Sequence, residues 1–275
     1  MPGWGVQLEA ERVLRELRAL GFAATELGPP GFLPTDPARL RALLETHGLR
    51  LVAAFAAAVL HEPARREAEL QALRETARSL AASGGEVLVL AAATGQDGYE
   101  RGGELDAAAW RALLEATSEA ERLASAHGLT LAVHPHYGTA IEGAAQVARL
   151  LDSSPVRLCL DVGHLAVGGA DPLEVARRAN GRVAHVHLKD VEAGLARRVR
   201  DRALGYRDAV RAGLYTPLGK GSARIAEIVR LLEDGGYEGW YVIEQDLVLD
   251  DVPPNGAGPS EDAAHSLDFL KGLAA

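Results

Sequence analysis

Residues 182–192 read RVAHVHLKDVE, and the polar side chains in this run fall on alternate positions. Val183, His185, His187 and Lys189 share one face of an extended strand, while Ala184, Val186 and Leu188 share the other. Two imidazoles and an amine are poor solvent decoration for a strand whose opposite face is aliphatic. The arrangement recurs elsewhere. In VRLCLDVGH, Leu158, Leu160 and Val162 point one way and leave Asp161 on the other face, with His164 just beyond. WYVIEQD sets Glu244 opposite Tyr241 and Ile243, and LTLAVHPH sets His134 and His136 opposite Leu131 and Val133. Glu26 ends one such run and His61 follows another.

Each residue alone has a plain explanation. A single inward histidine is ordinarily a hydrogen-bonded core residue, Lys189 can reach solvent, and Asp161 can cap the turn after it. Together they bring carboxylates and imidazoles from several strands to one place, where buried charge is costly unless paired or bound to metal. Carboxylate and imidazole donors without thiolate suit a borderline or hard divalent ion such as Mn, Co, Mg or Zn. Chelation of a ketone oxygen and a neighbouring hydroxyl makes the adjacent C–H acidic and stabilises the enediolate. A carboxylate or imidazole then takes the proton, which makes Glu244, His134 and His136 catalytic candidates, with Lys189 a candidate as proton donor. Glu26, His61, His164 and His185 are candidates for substrate contact. Isomerase, epimerase and dehydratase share these steps. Dehydration also needs an acid beside the departing hydroxyl, which His134, His136, His164 or Lys189 can supply.

Glu142, in HPHYGTAIE, has two readings. Thr139-x-x-Glu142 is the spacing of a capping box that opens a helix. Gly138 also permits a sharp bend that folds Glu142 back over the site, where it would serve as base and metal ligand.

These groups need a scaffold that gathers strand ends. Strand-like runs at Gly5–Glu9, Ala24–Leu27, Arg50–Leu60, Glu86–Ala92, Thr130–His136, Val156–Val162, Val183–Lys189 and Trp240–Gln245 alternate with helical stretches. Eight such units predict an α/β fold, a (β/α)8 TIM barrel forming a single domain over residues 1–275. THGLRLVA (46–53) and AHGLTLAV (126–133) repeat one helix–glycine–strand connection, as two βα units would. In TDPARLRALLETHG, Asp36 suits a helix cap, Pro37 the first turn and Gly48 the exit. The connections after strands are long: 93–105, 191–221 and 249–261. In such barrels those loops build the active site. The segment 191–221 has helical spacing and is expected to be a helical insertion that covers the mouth or mediates self-association.

The formal charge of −9 argues against a nucleic-acid backbone as partner and against a nuclease of the same barrel. A single cysteine, Cys159, excludes an internal disulfide. No apolar run is long enough to span a membrane, and the first residues lack an export signal, so we expect a cytoplasmic protein.

The stretches GFAATELGPPGFLPTDPARLRALLETHGLRLV, HPHYGTAIE, LCLDVGHLAVGGADP, HVHLKDV, GLYTPLGKG and GWYVIEQD resemble the xylose-isomerase-like sugar isomerase/epimerase barrels, and within them the inosose (2-keto-myo-inositol) dehydratase branch. DxGH and HxHxKD are general to the superfamily, whereas TELGPPGFLPTDPARL with GTAIE and VIEQD is specific to that branch. The resemblance implies a small polyol or keto-sugar substrate and dehydration of a keto-inositol, with an isomerase or epimerase of a keto-sugar or keto-inositol as the alternative. It also implies a divalent metal, commonly Mn or Co, held by Asp161, His187 and Glu244. Relatives place a further ligand Glu where this chain has His134, and the HPHxGTxxE pattern points to Glu142 as its replacement. GKGSARI departs from the relatives' GxGxxDF.

Overall fold

The computed structural model describes residues 3–96, 98, 102–179 and 181–273. Positions 97 and 99–101 of the long 93–105 loop, and 1–2, 180 and 274–275 of the expected domain, lie outside the described residues.

The chain alternates helix and strand. Helix α1 (Ala10–Leu20) leads to β1 (Ala24–Thr25), and α2 (Pro37–Thr46) to β2 (Arg50–Leu51), which runs on across Val52 into β3 (Ala53–Ala58). Then come α3 (Arg66–Ala82), β4 (Val87–Ala92), α4 (Ala107–Ala126), β5 (Thr130–Val133) and α5 (Ala144–Ser153). Strand β6 (Leu158–Asp161) passes directly into α6 (Val162–Gly168), followed by α7 (Pro172–Arg178) and β7 (Val183–Leu188). After β7 the chain makes an excursion: β8 (Asp190–Val191), α8 (Ala193–Arg200), α9 (Tyr206–Arg211) and β9 (Tyr215–Thr216), with β8 and β9 paired antiparallel. Helix α10 (Ile225–Asp234), β10 (Tyr241–Ile243) and α11 (Pro259–Leu273) complete the fold.

The sheet is parallel, in the order β10-β7-β6-β5-β4-β3, and β1 extends it by pairing with β2. It curls into a TIM-type barrel. The expected strand at Gly5–Glu9 does not join a ladder; Val6 N–H donates to Leu249 O at 2.8 Å and the segment is otherwise extended coil. Its neighbours explain this, since β1 offers two residues and β10 three for pairing. A cavity of about 630 Å³, lined by Gln7, Ala24, Glu26, Val242 and Glu244 among others, opens along that seam.

Local punctuation follows the sequence. Asp36 accepts from Arg39 N–H at 2.9 Å, Pro37 begins α2, and Gly48 leaves it at φ +61°. The echoed connections share one exit: Leu49 N–H reaches Leu44 O and Leu129 N–H reaches Ala124 O, each at 3.0 Å, with Gly48 and Gly128 left-handed. Between sheet and helices lies the main core, including Leu88, Leu90, Leu131, Leu158, Leu160, Val186 and Leu188. A smaller cluster of Val52, Ala53, Val87, Val89, Ala132 and Cys159 lies apart from it, with Trp240 packed against it. At the N-terminal end of the strands, Trp240 donates its indole N–H to Glu86 at 3.0 Å beneath the guanidinium of Arg50.

Candidate active site

Strand β7 carries the site. His185, His187 and Lys189 lie on one face at 0%, 3% and 0% exposure, while Val186 and Leu188 fill the helix-facing side. The stem of Lys189 runs over Gly163: a Cβ there would lie 2.6–2.8 Å from three Lys189 carbons, which gives the glycine of DVGH its reason. Lys189 Nζ ends 2.9 Å from Glu244 Oε1, 3.3 Å from Asp246 Oδ2, 3.5 Å from Asp161 Oδ2 and 3.2 Å from His164 Nε2. Burial opposes its charge, but Asp161, Asp246 and Glu244 outweigh burial and hold the amine well above its ordinary value. It is an ammonium locked among carboxylates.

Asp161 has both roles read from the sequence. Its Oδ1 accepts the His164 N–H at 2.7 Å and caps α6. Its Oδ2 faces His134 Nε2 at 3.2 Å and His187 Nδ1 at 3.4 Å. Burial disfavours this carboxylate, and Lys189 and the neighbouring imidazoles overcome it, so its pKa lies well below the ordinary range.

His187 joins two sets of carboxylates. Its Nε2 lies 3.1 Å from Glu26 Oε1, which also takes His185 Nε2 at 2.7 Å. A carboxylate only accepts, so His187 Nε2 carries the hydrogen there. Its other nitrogen, Nδ1, faces Glu244 Oε2 at 2.9 Å and Asp161 Oδ2. Nδ1 and Oε2 are buried and, despite this closeness, are not aligned as a hydrogen bond. Ligand atoms about 2.1 Å from one ion at right angles stand roughly 3 Å apart, so this spacing fits donors around a shared cation. Atoms of Asp161, His187 and Glu244 indeed lie within 4.8 Å of one another. Burial opposes protonation of His187, yet its pKa is raised well above the usual value. Cys159, pushed up to about 11 by burial, is a thiol at neutral pH, so we attribute the rise to Glu26 and Glu244. A bound cation would take the place of that proton.

Three further imidazoles surround this group. Burial lowers the pKa of His134, and lowers that of His164 well below the ordinary value. Burial, with His134 and Lys189, brings His136 down to about 3. All three are therefore neutral bases. Their partners fix the tautomers. His136 Nδ1 donates to Tyr137 O at 2.7 Å, which leaves the lone pair on Nε2. His134 Nε2 donates to Asp161, leaving Nδ1 free to accept. His164 Nε2 accepts from the Lys189 ammonium, and its ring lies 3.6 Å from that of His136.

The structure draws Glu26, His134, His136, Asp161, His164, His185, His187, Lys189 and Glu244 together. Of the expected substrate contacts, Glu26 and His185 are turned on one another and on His187, and His185 is fully buried while Glu26 keeps an edge on the cavity. Glu142 is in neither expected position. Its Oε2 accepts the Gly138 N–H at 2.8 Å, because the tight 136–141 turn directs that amide at it. Thr139 Oγ1 bonds within the same turn, and Gly143, not Thr139, is the N-cap residue of α5, so no capping box forms. His61 Nε2 lies 3.7 Å from Glu62 Oε1 and, among the described residues, belongs to none of the groups close enough to share an ion.

Sequence reasoning passed over Asp246, although it follows Glu244 with the same period-two spacing. It also passed over Tyr206 and Tyr215, which α9 and β9 deliver to the site. Their hydroxyls lie 2.9 Å apart, Tyr206 stacks on Tyr137 at 5.0 Å, and Lys189 Nζ is 5.0 Å from the Tyr215 ring. No local pattern announces them.

A family model described as a xylose isomerase-like TIM barrel matches residues 14–273. The chain is 32% identical to the inosose dehydratase of Geobacillus kaustophilus (strain HTA426) over 255 residues, which cover 89% of this chain and 82% of that protein. It is 33% identical to the rhizopine catabolism protein MocC of Rhizobium meliloti over 284 residues, covering 100% of this chain and 85% of the relative. The crystal structure of 3-keto-D-glucoside 4-epimerase, YcjR, from E. coli shares the fold at a TM-score of 0.70 and 17% identity, covering 99% of this chain and 97% of that one.

Proposed function

Because the chain belongs to the xylose isomerase-like TIM barrel family, we propose that it is a metal-dependent hydro-lyase that removes water from a keto-inositol of the inosose type. The observation that carries this is the surplus of neutral imidazoles, His134, His136 and His164, beside the Asp161, His187 and Glu244 donors. An exchange of stereochemistry needs a base on each side of one carbon. A dehydration needs a base and, at a neighbouring carbon, an acid.

Asp161, His187 Nδ1 and Glu244 would hold the divalent ion, with Mn or Co the first choice. When bound, it polarises the ketone and stabilises negative charge on its oxygen. His136 Nε2 or His134 Nδ1 removes the proton from the hydroxyl-bearing carbon next to the ketone. The electron pair forms the enediolate. Its collapse expels the hydroxyl on the next carbon, which departs as water on taking a proton from an imidazolium. The remaining enol becomes a 1,2-dione, so the balance is keto-inositol to dione plus one water. Lys189, fixed by three carboxylates, holds Glu244 and Asp161 in place and keeps His164 Nε2 occupied as an acceptor. Tyr206 and Tyr215 bring apolar rings against this end of the site and help to exclude water from the enediolate.

The proposal includes one barrel domain over residues 1–275, with 191–221 as its insertion, a cytoplasmic location, and no nucleic-acid or membrane partner. The −9 charge and the lone buried thiol support it, and no helix among the described residues is long and apolar enough to cross a membrane. The test is incubation of Mn-loaded or Co-loaded protein with scyllo-inosose. Growth of conjugated-dione absorbance supports dehydration. A ketone that changes only its stereochemistry would show an epimerase.

A further inference from the structure

Phe55 lies in the middle of β3, paired in register with Val89 of β4, yet 47% of its surface is exposed. A phenyl ring this open on a strand laddered to its neighbour along its length must face an unfilled space. That space is the barrel mouth, because the ring lies 5.9 Å from His134 and 6.0 Å from His136. Ala57, the next side chain on the same face, is also exposed, and it pairs with Ala91 of β4, so only methyl groups border the space there. The mouth is thus divided. Strands β6 and β7 and the ends of β5 and β10 present charge and imidazole, and β3 presents one bare aromatic face.

We propose that Phe55 is a specificity-determining residue whose ring stacks on the C–H face of a closed six-membered polyol while the opposite wall takes its oxygens. The inference rests on the keto-inositol reading and assigns to Phe55 the discrimination of the closed ring from open-chain polyols. A cyclohexane ring with mostly equatorial hydroxyls presents axial C–H bonds on both faces, and their partial positive charge matches the negative face of a phenyl ring. An open chain turns hydroxyls in every direction and offers no such face. Phe55 acts on binding and takes no part in proton transfer.

Titration calorimetry of the Mn-loaded protein with myo-inositol and with D-glucitol, its open-chain counterpart, tests this. Wild type is expected to bind myo-inositol more tightly than D-glucitol. Phe55→Ala should weaken myo-inositol binding about tenfold, the scale of one good aromatic contact, and leave D-glucitol unchanged. Phe55→Tyr should keep the wild-type preference, and Mn affinity, equal in all three proteins, confirms that each is folded. No myo-inositol binding by wild type, equal binding by wild type and Phe55→Ala, or a parallel fall for both polyols would overturn the inference. Failure of the dehydratase reading looks different: wild type would leave scyllo-inosose unconverted while the Phe55-dependent preference for the ring persists.

Discussion

Glu26 Oε1 lies 3.1 Å from His187 Nε2, so a carboxylate at the end of β1 determines which nitrogen of an imidazole on β7 is left for the Asp161–Glu244 group. A histidine ligand held by a carboxylate on its far nitrogen keeps one tautomer and one ring orientation, and it becomes more basic. The seam of the barrel, between the short strands β1 and β10, is therefore also where the metal group is oriented.

Glu26→Gln should weaken Mn binding by about 10–100-fold, the usual effect of losing such a partner. Titration calorimetry measures it directly. An unchanged affinity would show that the ring is oriented by packing alone.

Lys189→Met removes the cation shared by Asp161, Glu244 and Asp246. Stripping one partner from a buried ionic group typically costs about 3–5 kcal/mol, so the metal-free variant should unfold at markedly lower urea. Mn should recover part of this loss, because it returns positive charge to the same carboxylates. Equal stability of variant and wild type without metal would contradict the charge account.

Much of this was legible in the sequence. Alternation in RVAHVHLKDVE orients His185, His187 and Lys189 correctly because a strand has a period of two and no freedom to do otherwise. It cannot say that His185 sits beneath His187 with no surface left, since that depends on Glu26, 159 positions away in the chain. Asp246 carried the same alternation and was within reach of the reading. Tyr206 and Tyr215 were not, because helix packing in the 191–221 excursion aims them. Glu142 shows a different failure: its spacing fits two known motifs, and the 136–141 turn gives its carboxylate a third partner, Gly138. The strand expected at Gly5–Glu9 was judged by composition, whereas ladder formation depends on how much edge the neighbours offer.

Acid should destabilise the metal-free protein in a defined window. His136 is held at about 3 in the fold, against roughly 6.5 when unfolded. Between those values the unfolded chain binds the extra proton, so stability is full above about pH 6.5 and is lost as the pH falls toward 3. His134 and His164, also lowered, add in the same direction, three imidazoles against His187, whose raised pKa works the other way. Urea midpoints between pH 7.5 and 5 should decline for wild type, and His136→Asn should flatten the slope. An unaltered slope would mean that other groups take up the protons.

Glu142→Gln should keep its Mn, because the carboxylate serves Gly138 rather than the Asp161–His187–Glu244 group. His134→Gln, which loses the ring beside Asp161 Oδ2, should lower turnover far more. Metal analysis of both variants decides the matter: metal lost from Glu142→Gln and retained in His134→Gln would return Glu142 to the ligand set.

The most direct measurement of the central claim is the fate of scyllo-inosose in D2O with the Mn-loaded protein, followed by mass spectrometry and proton NMR. Dehydration yields a dione lighter than the substrate by one water, with deuterium where the enol has ketonised. Deuterium entering a product that keeps every oxygen would contradict the account and make this barrel an epimerase.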